Sequence, residues 1–275
     1  MAFLPGTPIE VIHDRVMRGG IKHALFDFDG TLSLIRQGWQ QVMNPLMLEV
    51  LTQTPHHEPQ NELETIISRF IDRTTGVQTI YQMVGLADLV RERVAIPLDP
   101  KEYKRIYLER LWQHIAHRVR GLKDGSLQKD MFLLPGSVNL LQGFQQSGVI
   151  CYLASGTDIE YVRDEAAALG LVGYFGGGIY GALENLEDYS KAKVIADILH
   201  SNHLQGSGLV TFGDGYVEIE NTVAAGGLAV GVASDESHPG QLDKWKRERL
   251  IQAGAQVIIP DFTASQALLA FLLDA

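Results

Sequence analysis

Two aspartates stand close together where an apolar segment of the sequence ends. Asp27 and Asp29 flank Phe28 within the stretch ALFDFDGTLSLI, residues 24–35. An Asp-Gly turn with a solvated side chain would account for Asp29. Asp27, however, finishes an apolar run, where a lone carboxylate is costly unless it is paired or holds a metal. The pair therefore indicates chemistry at the end of a buried strand.

A hydroxyl and two backbone amides follow a second apolar run. The segment GVICYLAS, residues 148–155, ends at Ser155, and Gly156 and Thr157 come next. We expect these residues to begin a helix, where free N–H groups bind anions readily. Ordinary helix capping is the competing interpretation.

A further pair of acids follows a third run. The segment GLVTFGD, residues 208–214, ends at Asp214, and Glu218 follows within the next turn if that segment is helical. Acids are also common in the first turn of any helix. Ligands of open parallel sheets bind beyond the carboxyl ends of the strands. Acids and a hydroxyl at three such ends therefore favour one shared site.

Crowded carboxylates need a cation. Asp27, Asp29, Asp214 and Glu218 would repel one another in one pocket, and their ligand atoms are all oxygens. Mg²⁺ is the cation that suits such a set best. A metal, an anion-binding segment at Ser155 and a free carboxylate together are typical of phosphoryl transfer.

One lysine is expected to complete the site. In YSKAKVIADIL, residues 189–199, Ser190 is predicted to cap a helix whose first residue is Lys191. A lysine is electrostatically unfavourable at a helix N-terminus, which favours a functional purpose. Lys193 is the competing candidate, and we prefer Lys191 because it is closer to the loop.

The segments that must position these side chains predict an α/β fold. Continuous apolar runs alternate with helical patterns, which is typical of a doubly wound parallel sheet of the Rossmann-like kind with crossover helices. The runs lie at residues 23–28, 148–155, 208–214, 227–234 and 255–261. We predict that residues 1–37 and 125–275 form this core.

Residues 38–124 interrupt the alternation. This stretch has helical periodicity, as in Leu63, Ile67 and Phe70, and no convincing strand. Residues 75–94 read as a helix broken near Gly85. We therefore predict an inserted, all-helical domain over residues 38–124.

Composition limits the possible partners. The 275-residue chain has a net charge of −10, which argues against nucleic acid, since that partner needs a basic face. No apolar run approaches the ~18 residues of a membrane span. The single cysteine, Cys151, permits no internal disulfide, and we expect a cytoplasmic protein. The oligomeric state is not predicted.

The motifs together resemble a known family. DFDGTL (27–32), ASGT (154–157), SKAKVIADIL (190–199) and GDGYVE (213–218) are similar, in order, to the four motifs of the haloacid dehalogenase superfamily. The inserted helices resemble the cap domain of that superfamily, placed after the first motif. Because Asp29 is present, the resemblance is to the phosphatases and phosphomutases rather than to the dehalogenases.

The resemblance implies a role for each acid. Asp27 would be the nucleophile that accepts the phosphoryl group, and Asp29 would be the general acid and then the base. Mg²⁺ would be held by Asp27, Asp214 and the backbone carbonyl of Asp29. Glu218 stands where the superfamily has an acidic residue, usually aspartate, and would bind the metal directly or through water.

The remaining motif residues would hold the phosphate. Ser155 and the amide of Gly156 would bind its oxygens, and Lys191 would stabilise the transferring group. The implied activity is hydrolysis of a small phosphomonoester. The cap would close over the site and set the specificity, and the substrate cannot be read from the sequence.

Two other functions stay open. A sugar phosphomutase similar to the β-phosphoglucomutases would carry the same four motifs. A non-catalytic module similar to response-regulator receivers would also pair acids with a lysine, although it would lack the long insertion. The glycine pattern GGGIYG, residues 176–181, has no flanking strand and helix to support a dinucleotide site, and we interpret it as a flexible turn.

Overall fold

The computed structural model describes residues 2–13, 18–183, 189–238 and 240–274. Within these residues one eight-stranded sheet has the order β1-β2-β8-β7-β6-β3-β4-β5. The strands are β1 (Ala2–Phe3), β2 (Glu10–Val11), β3 (His23–Phe26), β4 (Ile150–Asp158), β5 (Gly178–Ala182), β6 (Leu209–Gly213), β7 (Leu228–Val232) and β8 (Val257–Ile259). All neighbours from β8 to β5 pair in parallel, whereas β1 and β2 pair antiparallel. The predicted α/β class is confirmed.

The α-helices cover most of the remaining chain. Their bounds are α1 (Gln40–Thr52), α2 (Gln60–Thr74), α3 (Thr79–Glu92), α4 (Pro100–Asp124), α5 (Ser137–Gln146), α6 (Ile159–Leu169), α7 (Lys191–Ser201), α8 (Tyr216–Ala224), α9 (Lys244–Gln252) and α10 (Ser265–Leu273). Residues 1–35 and 121–275 form one compact unit, the α/β unit, and residues 36–120 form a second, the helical unit.

Alternation along β3 divides the core of the α/β unit into two layers. Leu25 packs in a buried cluster with Val194 and Ile195 of α7. The next residue, Phe26, stacks on Phe212 of β6 with ring centroids 4.6 Å apart, and it also contacts Phe144 of α5. Successive strand residues point to opposite faces, so α7 covers one face of β3 and α5 covers the other.

The order of the strands places a topological switch point at β3. From β3 the chain continues on one side through β4 and β5, and then returns to the other side with β6. Such a point leaves a crevice beyond the carboxyl ends of the strands, where ligands of open α/β sheets bind. The residues that the sequence predicts for the site lie after β3, after β6 and in the last part of β4.

The helical unit contains no strand, as residues 36–120 are all described. Helix α1 packs against α2 and α3. Helix α3 runs through Gly85 without a break, so the predicted interruption is wrong. A Cβ at Gly85 would lie 2.5 Å from the Phe70 ring on α2, which explains the glycine by close helix packing rather than by a helix end.

Two further predictions about elements are wrong. The glycine-rich segment is not a flexible turn, because Gly178–Ala182 forms β5, which pairs with β4. Strand β4 does not end at Ser155 but continues to Asp158, with a register shift after Ala154. Helix α6 therefore begins at Ile159, and Gly156 and Thr157 lie in an irregular strand end rather than in a helical first turn.

No helix of the described residues is both long enough and apolar enough to cross a membrane.

Candidate active site

Asp27 directly continues β3 into the crevice. Its backbone N–H donates to the carbonyl oxygen of Phe212 at 2.9 Å, which extends the pairing with β6 by one residue. Alternation then puts its side chain on the α7 face of the sheet. There the Nζ atom of Lys191 donates to Oδ1 of Asp27 at 2.7 Å.

Lys191 joins two buried carboxylates. Its Nζ also donates to Oε2 of Glu218 at 2.8 Å, and Asp27, Lys191 and Glu218 are all at most 6% exposed. Ser190 caps α7 by accepting from the N–H of Lys193 at 3.1 Å, as the sequence predicts. Lys193 itself is exposed, so Lys191 is the lysine that the fold brings to Asp27.

Burial and charge shift the pKa values of this group. Burial raises the pKa of Asp27 well above its ordinary value; Lys191 opposes the rise, and the Glu218 and Asp214 carboxylates add to it. Burial alone would lower the pKa of Lys191, but the Asp27 and Glu218 carboxylates outweigh it and raise that pKa. The ammonium group therefore stays charged beside Asp27 and opposes the rise in the pKa of that acid.

Glu218 is engaged through both carboxylate oxygens. Oε2 accepts from Lys191, and Oε1 accepts from the N–H of Gly215 at 2.8 Å, which caps the first turn of α8. A Cβ at Gly213 would lie 2.1 Å from Oε1, so this approach requires glycine at residue 213. Glu218 thus fixes the ammonium of Lys191 to the end of β6.

Asp214 is held by contacts to its backbone and to its side chain. Its N–H donates to Oγ1 of the buried Thr31 at 3.0 Å. Its Oδ2 accepts from Nζ of Lys246 at 2.9 Å. A Cβ at Gly30, where φ is +75°, would lie 2.3 Å from that oxygen, so glycine is required there by both the conformation and the space.

Asp29 receives two hydroxyl groups from the end of β4. Oδ2 accepts from Oγ of Ser155 at 3.2 Å and from Oγ1 of Thr157 at 3.0 Å. The irregular end of β4 brings both hydroxyls to one oxygen, and the N–H of Thr157 also donates to Oγ of Ser155 at 3.1 Å. The Ser155 hydroxyl contacts a carboxylate here, and Gly156 is half-buried beside it.

The acids fit a divalent cation. Asp27, Asp214 and Glu218 each offer one oxygen, and these atoms lie within 4.8 Å of one another. Two oxygens on the same Mg²⁺ lie at most about 4.2 Å apart, because each is bound at about 2.1 Å. A small inward movement, or one bridging water, would therefore complete such a set. Asp27 and Asp214 each use one oxygen on a lysine and keep a second one for a cation.

Sequence reasoning missed three contributors to the site. Thr157 was considered only for its amide, whereas its hydroxyl holds Asp29. Thr31 follows a glycine in the first motif, and its hydroxyl role becomes visible only when β6 lies beside β3. Lys246 lies in KWKRER, residues 244–249, a charged segment typical of a solvated helix face. Its spacing of four from the apolar Leu250 is the signal that could have revealed its buried side.

Other charged candidates lie in the helical unit. Several basic residues lie near the end of this unit, namely His114, His117, Arg118 and Arg120. Of these, Arg118 donates to the carbonyl oxygen of Gln37 at 2.8 Å. The acidic loop residue Glu58 accepts two hydrogen bonds from Arg93, at 2.7 and 2.8 Å, which tie the loop to the end of α3.

The fold resembles several solved structures. A predicted phosphoglycolate phosphatase from Haemophilus somnus is 16% identical with a TM-score of 0.57, over 90% of this chain and 98% of that one. β-Phosphoglucomutase from Clostridium difficile is 13% identical with a TM-score of 0.60, over 89% and 92%. CbbY from Rhodobacter sphaeroides, solved with phosphate, is 16% identical with a TM-score of 0.53, over 88% and 95%. At these identities the likeness shows the fold alone.

Sequence comparison identifies the family. Comparison with curated protein sequences gives no match. The family model of the haloacid dehalogenase-like hydrolases matches residues 21–225, a span that contains every site residue described above except Lys246. The chain therefore belongs to the haloacid dehalogenase-like hydrolase family.

Proposed function

We propose that this protein is a Mg²⁺-dependent phosphatase that hydrolyses a small phosphomonoester through an aspartyl phosphate on Asp27. The observation that carries the proposal is the buried contact of Asp27 with Lys191, at 2.7 Å, among the carboxylates of Asp214 and Glu218. A carboxylate nucleophile, a fixed ammonium and an acidic cation site are the parts that phosphoryl transfer requires.

In the first step Asp27 attacks phosphorus. A carboxylate oxygen of Asp27 forms a new P–O bond while the P–O bond to the leaving alcohol breaks, and Asp29 gives its proton to the departing alkoxide. Ser155 and Gly156 are the proposed contacts of the phosphate oxygens. Lys191 offsets the charge that builds up on the transferring group.

In the second step water hydrolyses the aspartyl phosphate. Asp29, now ionised, takes a proton from the attacking water, and the bond between phosphorus and Asp27 breaks to release inorganic phosphate. The hydroxyl of Thr157 keeps Asp29 in one orientation for both proton transfers.

Mg²⁺, when bound, would neutralise the phosphate oxygens and the carboxylates around them. Asp27 and Asp214 are the proposed direct ligands together with the backbone carbonyl of Asp29. Glu218 is proposed to act through water, because both of its oxygens already accept protein donors.

The likeness to a β-phosphoglucomutase fold favours a sugar phosphomutase as the second candidate. The two functions share the first step and differ in the acceptor, which is water in one and a sugar hydroxyl in the other. The helical unit, residues 36–120, is proposed to act as the cap that decides between acceptors. The single cysteine supports the proposal of a reducing, cytoplasmic location.

Release of inorganic phosphate from a panel of sugar, nucleotide and short-acid phosphates tests the proposal. We expect Mg²⁺-dependent release from at least one compound, and no release when EDTA removes the metal. Conversion of a hexose 1-phosphate to the 6-phosphate without net release would instead favour the mutase. Failure of every compound in both assays would contradict the proposal.

A further inference from the structure

Lys246 is a buried lysine that the four motifs do not contain. It lies in the first turn of α9, where its N–H donates to the capping Oδ1 of Asp243 at 3.0 Å, and it is 8% exposed. It shares the inner face of the helix with Leu250, four residues later. A charged side chain is seldom buried unless it is paired.

The ammonium group of Lys246 joins loops that follow two strands. Nζ donates to Oδ2 of Asp214 after β6 and to Oε1 of Glu236 after β7, both at 2.9 Å. It also approaches Oγ of Ser234 at 3.4 Å, and that hydroxyl donates to the carbonyl oxygen of Gly30 at 2.9 Å. The network therefore connects the loops after β3, β6 and β7 around Asp214.

The negative charge of Glu236 balances the positive charge of Lys246. The lysine adds one positive charge and Glu236 adds one negative charge, so the pair leaves the charge of the cation site unchanged. The contribution of the Lys246–Glu236 pair is therefore one of geometry. Glu236 fixes the ammonium group of Lys246, and the ammonium group fixes one oxygen of Asp214. The second oxygen of Asp214 is left for a cation. Outer contacts of this kind commonly set the orientation of metal ligands.

We propose that Lys246 is a positioning residue that orients Asp214 for a divalent cation, and that Glu236 holds Lys246 in place. This inference rests on the proposed function, in which Asp214 is a metal ligand. Mg²⁺ demands near-ideal octahedral geometry, whereas Ca²⁺ accepts flexible coordination. Loss of the orientation should therefore weaken Mg²⁺ binding more than Ca²⁺ binding.

The double variant Lys246→Gln/Glu236→Gln separates orientation from charge, because it removes one charge of each sign. Titration calorimetry of the full chain in phosphate-free buffer, with MgCl₂ and then CaCl₂, measures both affinities. We expect Mg²⁺ to bind about 10-fold more weakly than in the wild type, with a smaller loss for Ca²⁺. Lys244→Met, an exposed lysine on the same helix, is the matched control and should bind both ions as the wild type does.

Lys246→Met provides a second test that does not depend on the double variant folding. Removing a positive charge beside the site should tighten cation binding if Lys246 acted only through its charge, whereas loss of orientation weakens Mg²⁺ binding. Equal or tighter Mg²⁺ binding in a folded variant of either kind would overturn the inference. If instead the wild type binds no Mg²⁺, or Asp214→Asn binds it as tightly as the wild type, the metal site of the proposed function falls and the inference with it.

Discussion

The carboxylate of Asp29 is held by two hydroxyl groups from one strand end. Ser155 and Thr157 both donate to Oδ2, at 3.2 and 3.0 Å. Hydrogen-bond donors fix the direction in which a carboxylate points. In the proposed mechanism Asp29 must serve first as an acid and then as a base, so its orientation matters in both steps.

Replacing Thr157 with valine should reveal this role. The change keeps the shape of the side chain and removes one donor to Asp29, and a hydrogen bond to a charged group contributes about 1.5–3 kcal/mol. We expect kcat/KM, which reports the phosphorylation step, to fall about 10-fold for an alkyl phosphate and less for an aryl phosphate, whose leaving group needs little protonation. Steady-state kinetics with the two substrates measure the difference.

Thr211→Val is the control for that substitution. Thr211 is fully buried in β6, and its hydroxyl has no hydrogen-bond partner among the described residues. Its replacement should leave activity unchanged and leave stability equal or higher. An equal loss of kcat/KM on both substrates for Thr157→Val would contradict the positioning of Asp29 by that hydroxyl.

Helices α2 and α3 approach closely at one glycine. The hypothetical Cβ at Gly85 would lie 2.5 Å from the ring of Phe70, which is buried. Alanine raises helix propensity by about 1 kcal/mol over glycine, whereas overpacking costs about 1–3 kcal/mol. The balance between these terms can be measured directly.

Gly85→Ala should lower the free energy of unfolding by about 1 kcal/mol, because the clash outweighs the gain in propensity. In a Phe70→Leu background the ring is absent, so the same change should raise stability. Urea unfolding of the four proteins measures the coupling. If alanine stabilises both backgrounds, the packing explanation of Gly85 is wrong.

The periodicity of the sequence predicted most elements but not their ends. Continuous apolar runs located β3, β4, β6, β7 and β8 because strands covered on both faces carry a strong local signal. The two-residue strands β1 and β2 are too short to give such a signal. Strand β5 was missed because glycines precede and interrupt its few apolar residues, and the extension of β4 depends on its pairing with β5.

The candidate site was predictable where its residues lie at strand ends. The positions of Asp27 and Asp214 follow from the order of strands in an α/β sheet, and Lys191 was located by the Ser190 cap at the start of α7. Lys246 was missed because its partner Asp214 is 32 residues away and belongs to another element. Contacts of this kind depend on how α9 packs on the sheet, which local patterns do not specify.

An ion pair ties the beginning of the chain to its C-terminal third. Arg247 on α9 donates from Nε and Nη2 to the two carboxylate oxygens of Glu10 on β2, at 2.7 and 2.6 Å. Glu10 is 4% exposed. The hydrogen bonds from Arg247 lower the pKa of Glu10 below its ordinary value of 4.5.

This pair should make stability depend on pH. Because the pKa of Glu10 is lower in the folded state, its stabilisation is present above pH 4.5 and is lost as pH falls through the folded value. Arg247→Leu should cost about 3 kcal/mol at neutral pH, and the difference from the wild type should narrow progressively below about pH 5.

Urea unfolding at several pH values measures this difference. Arg91→Leu is the control, since the pair of Arg91 with Asp88 is exposed and should contribute under about 1 kcal/mol at any pH. A difference between Arg247→Leu and the wild type that does not change with pH would show that the pair acts through packing alone.

The proposed mechanism requires that Asp27 carries the phosphoryl group, and the Asp29→Asn variant tests this most directly. An aryl phosphate needs no proton to leave, so the variant should still be phosphorylated, whereas it lacks the base that activates water. Peptide mass spectrometry after reaction with Mg²⁺ and p-nitrophenyl phosphate should find one phosphoryl group on Asp27. A phosphoryl group found anywhere on the Asp27→Asn/Asp29→Asn double variant, or turnover at the wild-type rate by Asp27→Asn alone, would contradict the proposed mechanism.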